Sequence, residues 1–164
     1  MHAVSADSHD ANALAAAFAA TAEQWVNYPM LRKGEVLWKE LTQQASQLIE
    51  GGERDRLVTL ADDPRISVRF CAAMAINKFA QDVTRRVLID ISEGKGNFGK
   101  NENWLRGHAA DMLRIMFDDY RQRAWNAMDP ELRAFIEQFV ESQKPNSTTP
   151  PPQRPVTPRS PRRP

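Results

Sequence analysis

Cysteine is almost absent from this chain. Its 164 residues include one cysteine, Cys71, so no intramolecular disulfide can form. A chain without disulfides suits a reducing compartment, and we therefore expect a cytoplasmic protein. His2, His9 and His108 do not combine with Cys71 into the three or four convergent ligands that zinc requires, so we expect no metal site.

Long apolar runs are also missing. No segment approaches the roughly 20 apolar residues of a membrane-spanning helix. The alanine-rich stretch over residues 11–20 resembles the core of a signal peptide, but acidic Asp7 and Asp10 precede it and the first basic residue is Arg32. A secretory signal begins with positive charge, so we predict neither secretion nor membrane insertion.

An excess of charge is absent overall, because 22 basic and 21 acidic residues give a net charge of +1. The distribution is uneven: residues 145–164 contain four arginines and no acid, and the rest of the chain contains 18 basic and 21 acidic residues. A mildly acidic body is a poor general attractor for nucleic acid, whereas the basic tail can make weak, salt-sensitive contacts with it.

Proline is concentrated in the same tail, which holds eight of the 11 prolines. The segment over residues 144–164 is too polar to form a core, so we predict disorder. Prolines recur at every third position from Pro152 to Pro164 and would line one edge of a polyproline II helix. A stiff spacer and an adaptor segment that recruits a partner are both compatible with this pattern.

Period-2 alternation is absent over any useful length, and apolar residues recur at helical spacing instead. We predict an all-α fold of seven or eight helices over residues 10–143, after a disordered N-terminus over residues 1–9. Asp63-Pro64 and Asp129-Pro130 each combine a capping residue with a proline at the first helical position. The last helix is expected to bury its apolar face, which comprises Leu132, Phe135, Ile136, Phe139 and Val140.

The most specific signal is an internal repeat. Residues 68–76 align with residues 105–113 at an offset of 37 positions, and both copies contain an apolar residue, an arginine and an Ala-Ala pair. Such a period is typical of helix-pair repeats, in which each unit buries its apolar face by stacking on the next.

Asp63-Pro64, followed by Val68-Arg69 and Ala72-Ala73, resembles the second helix of a HEAT-type repeat. The resemblance covers about residues 53–118 and implies a short solenoid. It also implies a ladder in which Asp62 or Asp63 bonds to Arg69. The second copy keeps Arg106 but has no aspartate and proline before it.

The overall layout is similar to small bacterial HEAT-like domains, some of which are immunity proteins that inhibit toxins. This resemblance implies a non-catalytic protein that binds a protein partner of the bacterial toxin class and needs no cofactor. The alternatives are an association with nucleic acid through the arginine-rich tail, or an adaptor. HEAT-like DNA glycosylases are longer arrays with a basic groove, which this acidic body does not match.

The outer faces of the two repeat helices form the predicted binding face. Its residues are Phe70, Met74, Asn77, Gly107, Asp111, Arg114, Asp118 and Arg121. Apolar anchors such as Phe70 and Met74 mark interaction surfaces when they are exposed. The alternative is that both pack beneath the N-terminal helices. Gly107 within a helix suggests a close approach of another group.

A glycine-rich loop over residues 93–103 offers a second candidate contact. Gly94 to Lys100 has the spacing of a phosphate-binding loop, but Asn101 replaces the serine or threonine that would hold magnesium, and the loop follows a helix. We therefore expect a connecting segment or a contact loop, in which Lys95, Phe98 and Lys100 would meet a partner.

Overall fold

The computed structural model describes the backbone of residues 2–144 and the side chains of residues 10–144. Within that range it contains eight helices and no strand, which confirms the all-α prediction. The helices are α1 (His2–Trp25), α2 (Arg32–Glu50), α3 (Arg54–Leu60), α4 (Ile66–Ala75), α5 (Gln81–Ser92), α6 (Leu105–Met116), α7 (Asp118–Ala127) and α8 (Pro130–Ser142). The predicted disordered tail, beyond Lys144, lies outside the described residues.

The start of α1 differs from the prediction. The helix begins at His2, so Asp10 lies inside it and does not cap it. Residues 2–9 contain neither glycine nor proline, and nothing in their sequence interrupts a helix that propagates from the alanine-rich stretch.

The predicted helical body divides into two compact units. The first ends at Asp118 and contains α1 to α6, and the second begins at Asp119 and contains most of α7 and all of α8. None of the helices described in either unit has the length and apolarity needed to cross a membrane.

Helix α4 lies at the centre of the first unit. It packs against α1, α3 and α5, while α1 packs on α2 and α5 packs on α6. Seven of its ten residues are buried, on all sides of the helix. From α5, the buried Thr84 hydroxyl donates a 2.6 Å hydrogen bond to the carbonyl oxygen of Ala73 and so fixes α5 to the last turn of α4. Because α4 is surrounded, it holds the position of the other helices.

The entry into α4 corrects the predicted cap. The helix begins at Ile66, and Asp63 and Pro64 form a turn before it. The Asp63 carboxylate accepts hydrogen bonds from the Arg65 backbone N–H and guanidinium, each at 2.9 Å, and these bonds lower the pKa of Asp63. Because both bonds go to Arg65, the Asp63 carboxylate does not accept a backbone N–H of α4 and does not bond to the Arg69 side chain.

The predicted ladder therefore takes another form. Arg69 Nε donates to the backbone carbonyl of Asp63 at 2.9 Å, and Asp62 pairs instead with Arg86 at 3.3 Å. A Glu102 carboxylate oxygen accepts the backbone N–H of Ser67 at 3.0 Å. Ser67 lies in the first turn of α4, where backbone N–H groups have no partner within the helix, so Glu102 supplies one from the loop before α6.

The second unit confirms one capping prediction and overturns a core prediction. The side chain of Asp129 accepts the backbone N–H of Glu131, with Pro130 at the start of α8. The apolar face of α8 is not buried, since it leaves Leu132 (49%), Phe135 (65%), Phe139 (53%) and Val140 (52%) exposed, while Ile136 is half-buried. Periodicity predicts that such a face exists but not what covers it.

Candidate functional site: an aromatic groove

A layer of five rings joins four helices of the first unit. Trp25, at the end of α1, lies 5.0 Å from Trp38, 5.7 Å from Phe70 and 5.4 Å from Trp104, measured between ring centroids. His108 completes the layer, 5.4 Å from Phe70 and 5.5 Å from Trp104. The Trp104 indole N–H donates to the carbonyl oxygen of Val26 at 3.0 Å, which fixes that ring at the start of α6.

The outer side of this layer is the floor of an open groove of about 780 Å³. We call it the aromatic groove, and it is lined by Trp25, Tyr28, Pro29, Met30, Leu31, Gly34, Glu35, Trp38, Lys39, Trp104, Gly107, His108 and Asp111. Its size falls in the range of ligand and peptide sites, and its lining is mainly aromatic and apolar. A few polar side chains at the edge could orient what binds there.

One wall of the groove is the turn between α1 and α2. Gly34, in the first turn of α2, is buried against it, and a Cβ at this position would lie 2.2 Å from the carbonyl oxygen of Tyr28. Only glycine allows this approach without displacing the turn. Lys33 does not line the groove but contacts the Tyr28 side chain of this wall, with its ammonium 4.5 Å from the Tyr28 ring centroid and 3.2 Å from the Tyr28 hydroxyl.

Met30 forms the lip of the groove in an unusual conformation. It is fully exposed and has φ 59°, in the left-handed region that favours glycine. Holding a residue with a side chain there costs about 1–2 kcal/mol. Strained backbone of this kind is frequent at binding sites, where the surrounding structure holds it in place.

The opposite wall is the exposed side of α6. Gly107 lies here, and a Cβ built on it would meet no atom within 4 Å. This corrects the prediction that Gly107 permits a close approach, because the missing side chain leaves open space in the groove instead. Asp111, one turn further along, pairs with Arg114 and borders the same space.

His108 is half-buried between Phe70 and Trp104. Burial lowers the pKa of His108 below its usual 6.5, although the charge of Asp111 acts in the opposite direction. At neutral pH the imidazole is therefore uncharged and contributes a ring to the groove.

This shift predicts a pH dependence of stability. As the pH falls through about 6.5, the unfolded chain takes up a proton at His108 before the folded protein does. We expect the free energy of unfolding to fall between pH 7.5 and pH 5.5, as measured by urea denaturation. The decrease should be smaller in His108→Gln, which lacks the titrating imidazole. Equal pH dependence in the two proteins would contradict the shift.

The structure separates the members of the predicted binding face. Phe70 is fully buried beneath α1, which corrects its placement on the surface and confirms the alternative packing for this residue. Met74 is half-buried and lines a second cavity, of about 260 Å³, with Trp38 and Leu41. Asn77 is half-buried as well, and Trp38 lies between the Met74 cavity and the aromatic groove.

The remaining predicted residues lie on the surface. Gly107 and Asp111 belong to the aromatic groove, and Arg114 is exposed beside Asp111. Asp118 is exposed where the first unit ends, and Arg121 is exposed in α7 of the second unit. Of the eight predicted residues, only Gly107 and Asp111 line the groove.

The glycine-rich loop does not join the aromatic groove. Phe98 is half-buried, whereas a contact loop would expose it, and Lys95 pairs with Glu93 at 3.1 Å and Asp90 at 3.6 Å. Lys100 is exposed and lines a separate polar cleft of about 420 Å³. The loop follows α5, as the sequence predicts.

Sequence reasoning missed most of the groove. Trp25, Tyr28, Trp38 and Trp104 are not among the binding residues predicted from the sequence. The signal available was compositional, since three of the four tryptophans are groove residues. No protein-family model, curated protein or solved structure matches this chain.

Proposed function

We propose that this protein is a non-catalytic binding module that holds an apolar segment of a protein partner in the aromatic groove. The observation that carries the proposal is the groove itself, in which three tryptophans and Tyr28 border about 780 Å³ of open space. Tryptophan and tyrosine contribute large contact area at low entropic cost and dominate the energetics of protein interfaces.

The turn at the groove lip supports the same proposal. Met30 and Leu31 are exposed apolar side chains at its edge, and Met30 is kept in a strained conformation. Methionine adapts its shape to irregular apolar surfaces, so it suits contact with a partner's side chains. The burial of such residues on binding would compensate for their exposure in the free protein.

The charge of the groove favours protein over nucleic acid. Glu35, Asp111 and Lys39 are its charged lining residues, which gives two carboxylates and one ammonium. Nucleic acid is attracted by clustered lysines and arginines, so the arginine-rich tail and not the groove would have to supply its affinity. We retain nucleic-acid binding as an outcome to be tested.

For the class of partner we propose a bacterial toxin that the protein inhibits in the cytoplasm. The support for this class is the resemblance of residues 53–118 to HEAT-type repeats and the single cysteine of the chain. The test of inhibition is co-expression with candidate toxins encoded nearby, with cell growth as the measurement. The wild-type chain should protect the cells from the toxin, and Gly107→Gln should not.

Gly107→Gln is the sharpest variant for the groove. Since a side chain at position 107 meets no neighbouring atom, glutamine should fill open space without disturbing the fold. We expect a partner captured by the full-length wild-type chain to bind at least about 100-fold more weakly to the variant, equivalent to about 2.7 kcal/mol. Titration calorimetry with the purified partner measures the loss.

Gly107→Ala is the matched control, because its methyl group leaves the groove open. It should retain the partner with affinity close to that of the wild type. If Gly107→Gln binds the partner as tightly as Gly107→Ala does, the groove is not the binding site. Recovery of nucleic acid, with binding that weakens steeply as salt increases, would favour the tail-based alternative.

A further inference from the structure

We propose that the proline-rich segment over residues 152–164 of this chain is a ligand of the aromatic groove. The inference rests on the proposed function, since it names an occupant for the same site. It joins two separate features of the chain: a periodic proline segment and a groove lined by aromatic rings.

The first argument is the chemistry of the groove. Proline-rich segments in the polyproline II conformation dock into grooves lined by aromatic side chains, where the rings pack against proline. The Trp25 ring lies 5.0 Å from Trp38 and 5.4 Å from Trp104, measured between ring centroids, and Tyr28 lines the same groove. Four aromatic side chains therefore border one groove.

The second argument is the register of the segment. Pro152, Pro155, Pro158, Pro161 and Pro164 are spaced by three residues. Because polyproline II has three residues per turn, all five would face the same side. The conformation is preformed in proline-rich chains, so little conformational entropy is lost on binding.

The third argument is charge. The segment contains Arg154, Arg159, Arg162 and Arg163 and no acidic residue. Of the two groove carboxylates, Asp111 pairs with Arg114, and Glu35 makes no ion pair within the described residues. In polyproline II the arginines would project from the two edges beside the proline edge, and Glu35 is the carboxylate with which such an arginine could pair.

The test uses the indole N–H signals of the ¹⁵N-labelled full-length chain, which has four tryptophans. The in-register variant is Pro155→Ala/Pro158→Ala/Pro161→Ala. The matched control, Pro145→Ala/Pro150→Ala/Pro151→Ala, removes three prolines outside the register. We expect the in-register variant to shift the signals of the groove tryptophans, while the control keeps wild-type positions. Trp125, which does not line the groove, is the internal reference.

A synthetic peptide of residues 150–164, added to the in-register variant, should move those signals back toward the wild-type positions. The same peptide with the three in-register prolines replaced should bind about tenfold more weakly or worse, a difference of about 1.4 kcal/mol. In Gly107→Gln, the peptide should have no effect on the groove signals.

Identical groove signals in the wild type and the in-register variant, with no response to the peptide, would overturn the proposal. Equal shifts from the in-register and control variants would also overturn it, because the proline register would then be irrelevant. If partner capture remains sensitive to Gly107→Gln while the peptide leaves the groove signals unchanged, the proposed function stands and the proline-rich segment is not a ligand of the groove. If the peptide binds but no partner depends on the groove, the proposed function fails instead.

Discussion

Replacing Phe70 with alanine is expected to lower the free energy of unfolding by about 3–5 kcal/mol. Phe70 is fully buried in α4 and stacks on Trp25, with an interplanar angle of 4°. The substitution leaves a cavity beside the Trp25 and His108 rings, where the surrounding helices cannot easily close it. Chemical denaturation of the full-length protein, followed by far-ultraviolet circular dichroism, measures the change.

Phe135→Ala is the matched control for this prediction. The substitution is chemically the same, but Phe135 lies on α8 and is 65% exposed. Surface substitutions away from special features change stability by about 0.5 kcal/mol or less. A small effect for Phe70→Ala, or an equally large one for Phe135→Ala, would contradict the burial described for these two residues.

Gly34→Ala is expected to cost about 2–3 kcal/mol, the upper part of the usual range for overpacking. The new Cβ would lie 2.2 Å from the Tyr28 carbonyl oxygen, so the turn between α1 and α2 must move. That turn includes Tyr28, Met30 and Leu31 of the groove wall. The variant should therefore lose partner binding as well as stability, which denaturation and calorimetry measure separately.

The control for Gly34→Ala is again Gly107→Ala. Both glycines lie in helices, but a Cβ at position 107 meets nothing within 4 Å. Alanine is favoured over glycine in a helix by about 1 kcal/mol, so Gly107→Ala should stabilise the protein by up to that amount. If the two substitutions change stability in the same direction, the contact at Gly34 is not the cause of the loss.

Local periodicity predicts the helices well but not what surrounds them. Val68, Cys71 and Ala72 recur at helical spacing in α4, and all three are buried. Phe70 is buried too, although it is on the opposite face, because α1 covers that side. A signal was available: Arg69 is the only charged residue of α4, and a helix without a polar face is usually buried all round.

For helix α8, the prediction that its apolar face is buried is wrong. Its apolar residues recur at helical spacing, and the pattern alone predicts burial against the core. The structure leaves Phe135 and Phe139 exposed. Periodicity identifies an apolar face of a helix but does not show which element packs against it.

The groove was harder still to anticipate. Trp25, Trp38 and Trp104 come from three separate segments, and their meeting depends on how α1, α2 and α6 pack together. Only Gly107 and Asp111 could be predicted, because the repeat placed them opposite the buried face of α6. Tertiary packing decides the rest, and one sequence contains little direct information about it.

Cys71 has a practical consequence for labelling. Burial raises the pKa of its thiol well above the usual value, so the residue does not react readily with electrophilic reagents such as maleimides, which need an accessible thiolate. Since it is the only cysteine of the chain, one introduced at the fully exposed Met30 becomes a unique attachment point without removal of the native residue. A maleimide-linked dye or spin label would then report directly from the lip of the groove.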